Sequence, residues 1–173
     1  FKEVIVKVAN MEIYYKAIDF YIDEQPLQLV DLLTVLSPRI DHGRAVKQIS
    51  RRDGVLPIVK PYLIAVQTND IKEVNEALNG LYIEEEDFES LRDSIDTYDN
   101  FDNLSLAKAI ESHELLEFRR ISSYIFKKEG KWAASVALSK QDNLYKDAME
   151  TAAESKDTEV CEDLLKFFLD QDL

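Results

Sequence analysis

Catalysis or metal binding would have to be built around His42, His113 and Cys161, since the chain holds two histidines and one cysteine. A metal site would need carboxylate or histidine partners at i+3 or i+4, and an HExxH-like pair is absent. His113 lies in Ser112-His113-Glu114, which reads as an interhelical turn with a capping residue beside it. His113, Glu114 and Glu117 are the nearest approach to a two-helix site, and no nucleophile, base and orienting group can be assembled there. Cys161 shares an apolar face with Leu164 and Phe168, the place of a small core residue. As a lone cysteine it cannot form an internal disulfide and fits a reducing compartment. With no glycine-rich phosphate loop either, the expectation is a non-enzyme, with no cofactor and no metal site.

The charged clusters invite other chemistry. Glu84-Glu85-Glu86-Asp87 is the densest acidic run. It reads as a helix N-terminus, where carboxylates complement the macrodipole, with docking of a basic partner as the alternative. Asp96 to Asn103 superficially resembles a calcium loop, but lacks the alternating ligands, the central glycine and the terminal glutamate. Asp102 or Asn103 is better placed to cap the next helix. Asn103-Leu104-Ser105 matches a glycosylation acceptor by chance, because nothing in the chain supplies a secretory route. The basic islands are Arg51-Arg52, Arg119-Arg120, and Lys127-Lys128 with Lys131. Cations near turns complement helix C-termini. In an acidic body they also mark docking points, so Arg51, Arg52, Lys127, Lys128 and Lys131 are the candidate partner-binding residues.

That body is strongly acidic: 34 Asp and Glu against 21 Lys and Arg give a net charge of −13 over 173 residues. Such a surface repels phosphate backbones and anionic headgroups, which excludes nucleic acid as a partner and disfavours the membrane surface. The longest apolar-rich run, Leu32 to Pro38, falls far short of the ~20 residues that span a bilayer. No basic segment followed by an apolar core opens the chain. Starting at Phe1 rather than Met and stopping at Leu173, the sequence reads as a piece of a longer polypeptide, with Phe1 and Phe167–Leu169 as exposed cut surfaces.

The elements that position these groups are helices. Tyr62 to Lys128 contains one glycine, Gly80, and no proline, and Lys131 to Leu173 contains neither. Few tight turns fit such a stretch. Apolar residues recur at helical spacing throughout. Ile13, Ala17, Phe20 and Tyr21 form one stripe, backed by Tyr14 and Ile18; Leu29, Leu32, Leu33 and Leu36 form the next. Pro26 suits a first helical turn and Pro38 ends that helix. A short helix over Arg44 to Arg51 stops at Gly54. Further stripes are Val59/Leu63/Val66, Val74/Leu78/Leu81, Phe88/Leu91/Ile95/Tyr98, Leu104/Ala107/Ile110, Leu115/Phe118/Ile121/Ile125, Trp132/Val136, Leu144/Ala148/Ala152 and Val160/Leu164/Phe167/Phe168. Helices of about 8–14 residues joined by short connectors run antiparallel to their neighbours. A hairpin unit of roughly 25–30 residues and helices with two apolar faces predict an α-solenoid of stacked hairpins, all-α and continuous over 1–173.

Several strings resemble the clathrin heavy chain. They include Asn10-Met-Glu-Ile-Tyr-Tyr-Lys-Ala-Ile18, Leu36-Ser-Pro-Arg-Ile-Asp-His42, Val59-Lys-Pro-Tyr-Leu63 and Val74-Asn-Glu-Ala-Leu78. Others are Ser94-Ile-Asp-Thr-Tyr-Asp-Asn-Phe-Asp-Asn103, His113-Glu-Leu-Leu-Glu-Phe-Arg-Arg-Ile121, Leu144-Tyr-Lys-Asp-Ala-Met149 and Glu154-Ser-Lys-Asp-Thr-Glu159. The resemblance covers essentially the whole chain. It implies clathrin heavy-chain repeats from the proximal leg, ahead of the trimerisation region. It further implies packing against other heavy chains in a polyhedral coat, a light chain lying along the leg, and a place on the cytoplasmic face of coated pits and vesicles. Two residues depart from the pattern: Gly43 stands where Thr is expected, and Phe167 where animal chains tend to carry Trp. The second weakens the expected light-chain contact there. A related helical-repeat segment of a vacuolar tethering subunit is the alternative.

Overall fold

The computed structural model describes the backbone of residues 2–171 and the side chains of residues 11–171. Phe1 lies outside the described residues. Every regular element among them is helical: α1 (Lys2–Glu24), α2 (Leu29–Leu36), α3 (His42–Ser50), α4 (Lys60–Val66), α5 (Lys72–Glu84), α6 (Phe88–Thr97), α7 (Asn103–Ile110), α8 (Leu116–Lys128), α9 (Trp132–Gln141), α10 (Tyr145–Ser155) and α11 (Thr158–Asp170). Two compact units divide them, Phe1–Phe101 and Asp102–Leu173.

Four helices start on an aspartate whose carboxylate accepts a backbone N–H of the first turn. Asp41 takes Arg44 at 3.2 Å, Asp87 takes Ser90 at 3.0 Å, Asp102 takes Ser105 at 3.0 Å, and Asp157 takes Glu159 at 2.9 Å. Each satisfies a donor the helix cannot, worth about 1 kcal/mol. The Asp41 cap moves the start of α3 to His42, ahead of the expected Arg44.

In the first unit, α1 packs on α2 and α3, α2 on α4, α3 on α5, and α5 on α4 and α6. Ile18, Leu29, Leu33, Ile49, Val59, Leu63, Leu78 and Leu91 are fully buried between them. Burying each such side chain contributes roughly 1.5–3 kcal/mol. The stripe on α1 differs from expectation. Ile13 is 58% and Phe20 56% exposed, while Tyr15, Ile18 and Ile22 face inward. Both sets obey helical spacing, and polar anchoring chooses between them. The Tyr15 hydroxyl accepts from the Asp41 backbone N–H at 2.9 Å, and its carbonyl accepts from Gln48 Nε2 at 2.7 Å.

A buried polar network joins the far end of this unit. Gln67 Nε2 donates to Ser94 Oγ at 2.8 Å, and Asn75 Nδ2 donates to Asp70 Oδ1 at 2.8 Å and to the Asn100 carbonyl at 3.2 Å. Asn100 Nδ2 in turn reaches the Asp70 carbonyl at 2.8 Å. Buried amides need such partners, and here the need fixes the loop after α6 onto α5.

In the second unit each helix packs on the next, and α11 also touches α9. Small residues let α8 and α9 approach closely. Ser123 Oγ donates to the Ser135 carbonyl at 2.9 Å, with the Ser139 hydroxyl 3.2 Å away. Val136, Ala148, Ala152 and Leu164 form the adjoining core, with Cys161, Phe167 and Phe168 packed against it. The Cys161 thiol donates to the Ala152 carbonyl at 3.3 Å, a half-buried structural cysteine. Leu165 and Leu169 are exposed, whereas Phe167 and Phe168 are half-covered and meet Tyr145 at 5.9 and 5.5 Å between ring centres.

Candidate functional site

Both histidines spend Nδ1 on the fold. His42, at the first turn of α3, hydrogen-bonds the buried Tyr62 hydroxyl. Burial holds the His42 imidazole below its ordinary pKa, against an opposing pull from Asp41. Burial likewise pushes the Tyr62 hydroxyl up. His113 Nδ1 accepts the Leu115 N–H at 3.0 Å, and the ring rests 4.4 Å from Phe118. Among the described residues no three His, Cys, Asp or Glu side chains are grouped as metal ligands would be.

The acidic clusters also serve local structure. Asp102 Oδ2 accepts from Ser105 Oγ at 2.7 Å, so the residues that mimic a calcium loop and a glycosylation acceptor form the start of α7. The Glu84–Asp87 run is split, contrary to the expectation of a single helix N-terminus. Glu84 closes α5, Glu85 follows it, Glu86 takes a φ of +57°, and only Asp87 caps α6. Carboxylates at a helix C-terminus are unfavourable, and Lys60 offsets them by pairing with Glu85. That hydrogen bond holds the Lys60 ammonium above its ordinary pKa. Two hydrogen bonds from Ser90 hold Asp87 below the usual carboxylate range.

The basic islands divide by what each cation touches. Arg52 forks onto Asp23 of α1, Nε at 3.1 Å and Nη2 at 3.2 Å. Lys127 pairs with Glu154 of α10 at 2.9 Å. Lys127 and Lys128 occupy the last turn of α8, where they complement its dipole. Arg51 and Lys131 are exposed and, among the described residues, have no ion-pair partner. The five candidates therefore differ: two hold neighbouring helices and two extend into solvent. Arg51 and Arg52 belong to the first unit, and Lys127, Lys128 and Lys131 to the second.

Sequence reasoning treated Arg119-Arg120 as one island and missed what each arginine does. Arg119 Nε binds Asp142 at 2.9 and 3.1 Å, and its Nη1 donates to the His113 and Glu114 carbonyls at 2.7 and 2.8 Å. It thereby ties the turn before α8 to the turn before α10. Arg120 instead reaches Asp147 on α10 at 2.9 Å. The signal was present in the spacing. Arg120 and Lys127 lie seven apart on α8, as do Asp147 and Glu154 on α10, so two rungs form only if these helices run in the same direction.

The first unit repeats the device. Arg44 on α3 forks onto Glu12 of α1 at 3.1 and 3.2 Å while stacking 3.8 Å above the Tyr15 ring, and Lys47 reaches Glu73 of α5 at 3.4 Å. An open groove of about 420 Å³ runs beside them, lined by Lys16, Asp19, Arg44, Gln48, Arg51 and Glu73 among others. Its walls alternate acid and base, which suits polar contact with a protein surface more than capture of a small apolar molecule.

Comparison with known proteins accounts for this build. A family described as "Region in Clathrin and VPS" matches residues 33–173. The chain is 58% identical to clathrin heavy chain 1 of Oryza sativa subsp. japonica over 171 residues and 58% identical to the clathrin heavy chain of Drosophila melanogaster over 172, in each case 99% of this chain. Identity to clathrin heavy chain 2 of Homo sapiens is 56% over 171 residues. The chain spans about a tenth of the length of these relatives. The all-α arrangement of packed hairpins is the α-solenoid class expected of such repeats, and the chain belongs to the clathrin heavy-chain repeat family.

Proposed function

We infer that this chain is a leg segment of a clathrin coat, a structural element that packs against other heavy chains in a polyhedral lattice. The observation that carries this reading is its identity over nearly its whole length to proteins named clathrin heavy chain. Layered helices tied by exposed ion pairs suit the role. Each pair contributes at most about 1 kcal/mol, so cohesion comes from the buried stripes and the charged surface stays available for many weak, salt-sensitive contacts. The chain is a scaffold and carries out no catalysis. The vacuolar tethering alternative shares the family description, but the whole-chain identity favours the coat.

The finer reading is one continuous solenoid over 1–173 that takes a clathrin light chain and works in endocytic and intracellular transport. Its place is the cytoplasmic face of coated pits and vesicles at the plasma membrane, trans-Golgi and endosome. No described helix is long and apolar enough to cross a membrane. Arg51, Arg52, Lys127, Lys128 and Lys131 are the proposed partner-facing cations. Arg52 and Lys127 must release or share Asp23 and Glu154 to engage a partner, so Arg51 and Lys131 carry more of the affinity.

Titration of the folded chain with the helical central region of a clathrin light chain tests this. Saturable binding that weakens with salt is expected, with Arg51→Glu and Lys131→Glu reducing affinity more than Arg52→Glu and Lys127→Glu. Absence of binding by a demonstrably helical chain would remove the light-chain reading.

A further inference from the structure

We propose that Asn79–Gly80 is a latent deamidation site whose rate is set by the opening of α5. It is the one Asn-Gly pair in the chain, and it lies in the interior of a helix of 13 residues. The chemistry needs only the chain and water. The Gly80 backbone nitrogen, after losing its proton, attacks the side-chain carbonyl carbon of Asn79. The bond from that carbon to the amide nitrogen breaks, ammonia leaves, and a five-membered imide remains. Water then opens either carbonyl of the imide, giving aspartate or its β-linked isomer. Glycine favours the attack because no Cβ crowds the nucleophile.

The fold blocks each step. In an α-helix the Gly80 N–H is engaged by the carbonyl four residues earlier, and helical ψ turns that nitrogen away from the Asn79 side chain. Asn79 is 3% exposed and its Oδ1 accepts from Ser94 Oγ at 3.4 Å, so hydrolytic water has little access. Gly80 itself is exposed, and a Cβ there would meet nothing within 4 Å. Packing therefore does not require a glycine, while glycine weakens a helix relative to alanine. The product carries a permanent consequence. A carboxylate at position 79 would sit buried beside one serine hydroxyl, a charge with too few donors, and α5 would close over it poorly. Each opening of α5 thus risks an irreversible mark.

Asp53–Gly54 supplies an internal reference, because aspartate forms the same imide with loss of water. That pair is exposed in a turn, open to reaction whether or not the chain is folded. The test incubates the chain, folded and in guanidinium chloride, at the same temperature and mildly alkaline pH. Peptide mapping by liquid chromatography with mass spectrometry follows both sites, Asn79 by its gain in mass and Asp53 by the separate elution of its β-linked isomer, whose mass is unchanged. Conversion at Asn79 is expected to be slower in the folded chain by on the order of a hundredfold or more, with Asp53 reacting at similar rates in both states. Gly80→Ala should suppress conversion at Asn79 in the denatured chain while keeping the folded spectrum. Equal rates at Asn79 in both states, or no conversion there in the denatured chain, would overturn the proposal.

Discussion

Arg120 and Asp147 meet at 2.9 Å across 27 residues of sequence, and Lys127 meets Glu154 at the same distance and the same separation. Two rungs with one offset fix α8 and α10 side by side and in register. Most of the α8 charge is therefore spent inside the chain before any partner arrives.

Neighbouring arginines on α8 carry unequal loads. Arg120 and its partner are half-exposed, so Arg120→Ala is expected to cost under about 1 kcal/mol. Arg119→Ala would leave Asp142, only 13% exposed, without its cation and free two turn carbonyls. The larger fall in thermal midpoint is expected for Arg119→Ala. Differential scanning calorimetry of the two variants decides, and equal midpoints would show that the turn-to-turn tie is idle.

The phase of α1 can be checked with two isoleucines. Ile18 is fully buried and Ile13 is 58% exposed. Ile18→Ala is expected to lose about 2–5 kcal/mol, whereas Ile13→Ser should stay within about 0.5 kcal/mol. Urea unfolding of both variants reads this directly; a costly Ile13→Ser would restore the stripe that spacing alone suggests.

These isoleucines show what a single sequence can and cannot tell. Helix existence was legible because proline and glycine are scarce and apolar residues recur at helical spacing. Burial on α2 and α5 followed, since Leu29/Leu33/Leu36 and Val74/Leu78/Leu81 recur at helical spacing and are buried. The phase of α1 was not legible, because Ile13/Phe20 and Ile18/Ile22 fit one period equally well and the Tyr15–Asp41 bond joins residues 26 apart. For the same reason nothing announced that Asn75 holds Asn100. Among the candidate cations, position near turns was legible, but pairing was not. Arg51 and Arg52 are adjacent and identical in type, and only the approach of α1 gives Asp23 to one of them.

Acidification should loosen the contact between α3 and α4. The His42 imidazole titrates below its ordinary 6.5 because burial disfavours its charged form. An unfolded chain then binds the proton more readily than the folded one. This contribution to stability is complete above 6.5 and is lost as pH falls through the folded value. Urea midpoints should drop as pH falls below about 6.5, the ordinary imidazole value, and His42→Gln should flatten that slope. An unchanged slope in the variant would assign the pH dependence to other groups.

Gly43 inside α3 and Gly54 just beyond it should respond to alanine differently. At Gly54 the backbone φ is +77°, a region where a Cβ costs about 1–2 kcal/mol, so Gly54→Ala should destabilise by that amount although the space around it is open. At Gly43 the backbone is helical, and a Cβ would come within 2.8 Å of Glu73 Oε2. That atom ends a flexible side chain whose other oxygen pairs with Lys47 at 3.4 Å, and the capping Asp41 Oδ1 would lie 3.3 Å from the Cβ, a contact that needs a shift of a few tenths of an ångström. Glu73 can swing away for the loss of one surface ion pair, about 0–1 kcal/mol, against a helix-propensity gain of about 1 kcal/mol for alanine over glycine. Gly43→Ala is therefore expected to be neutral within about 1 kcal/mol. Lys47→Ala in the same background should then have no further effect, because its partner has already moved. Chemical denaturation of the single and double variants tests this. A strongly destabilising Gly43→Ala would mean that Glu73 or the capping Asp41 cannot give way, and a wild-type-like Asp41→Asn cap in that background would leave Glu73 as a fixed part of the groove beside α3.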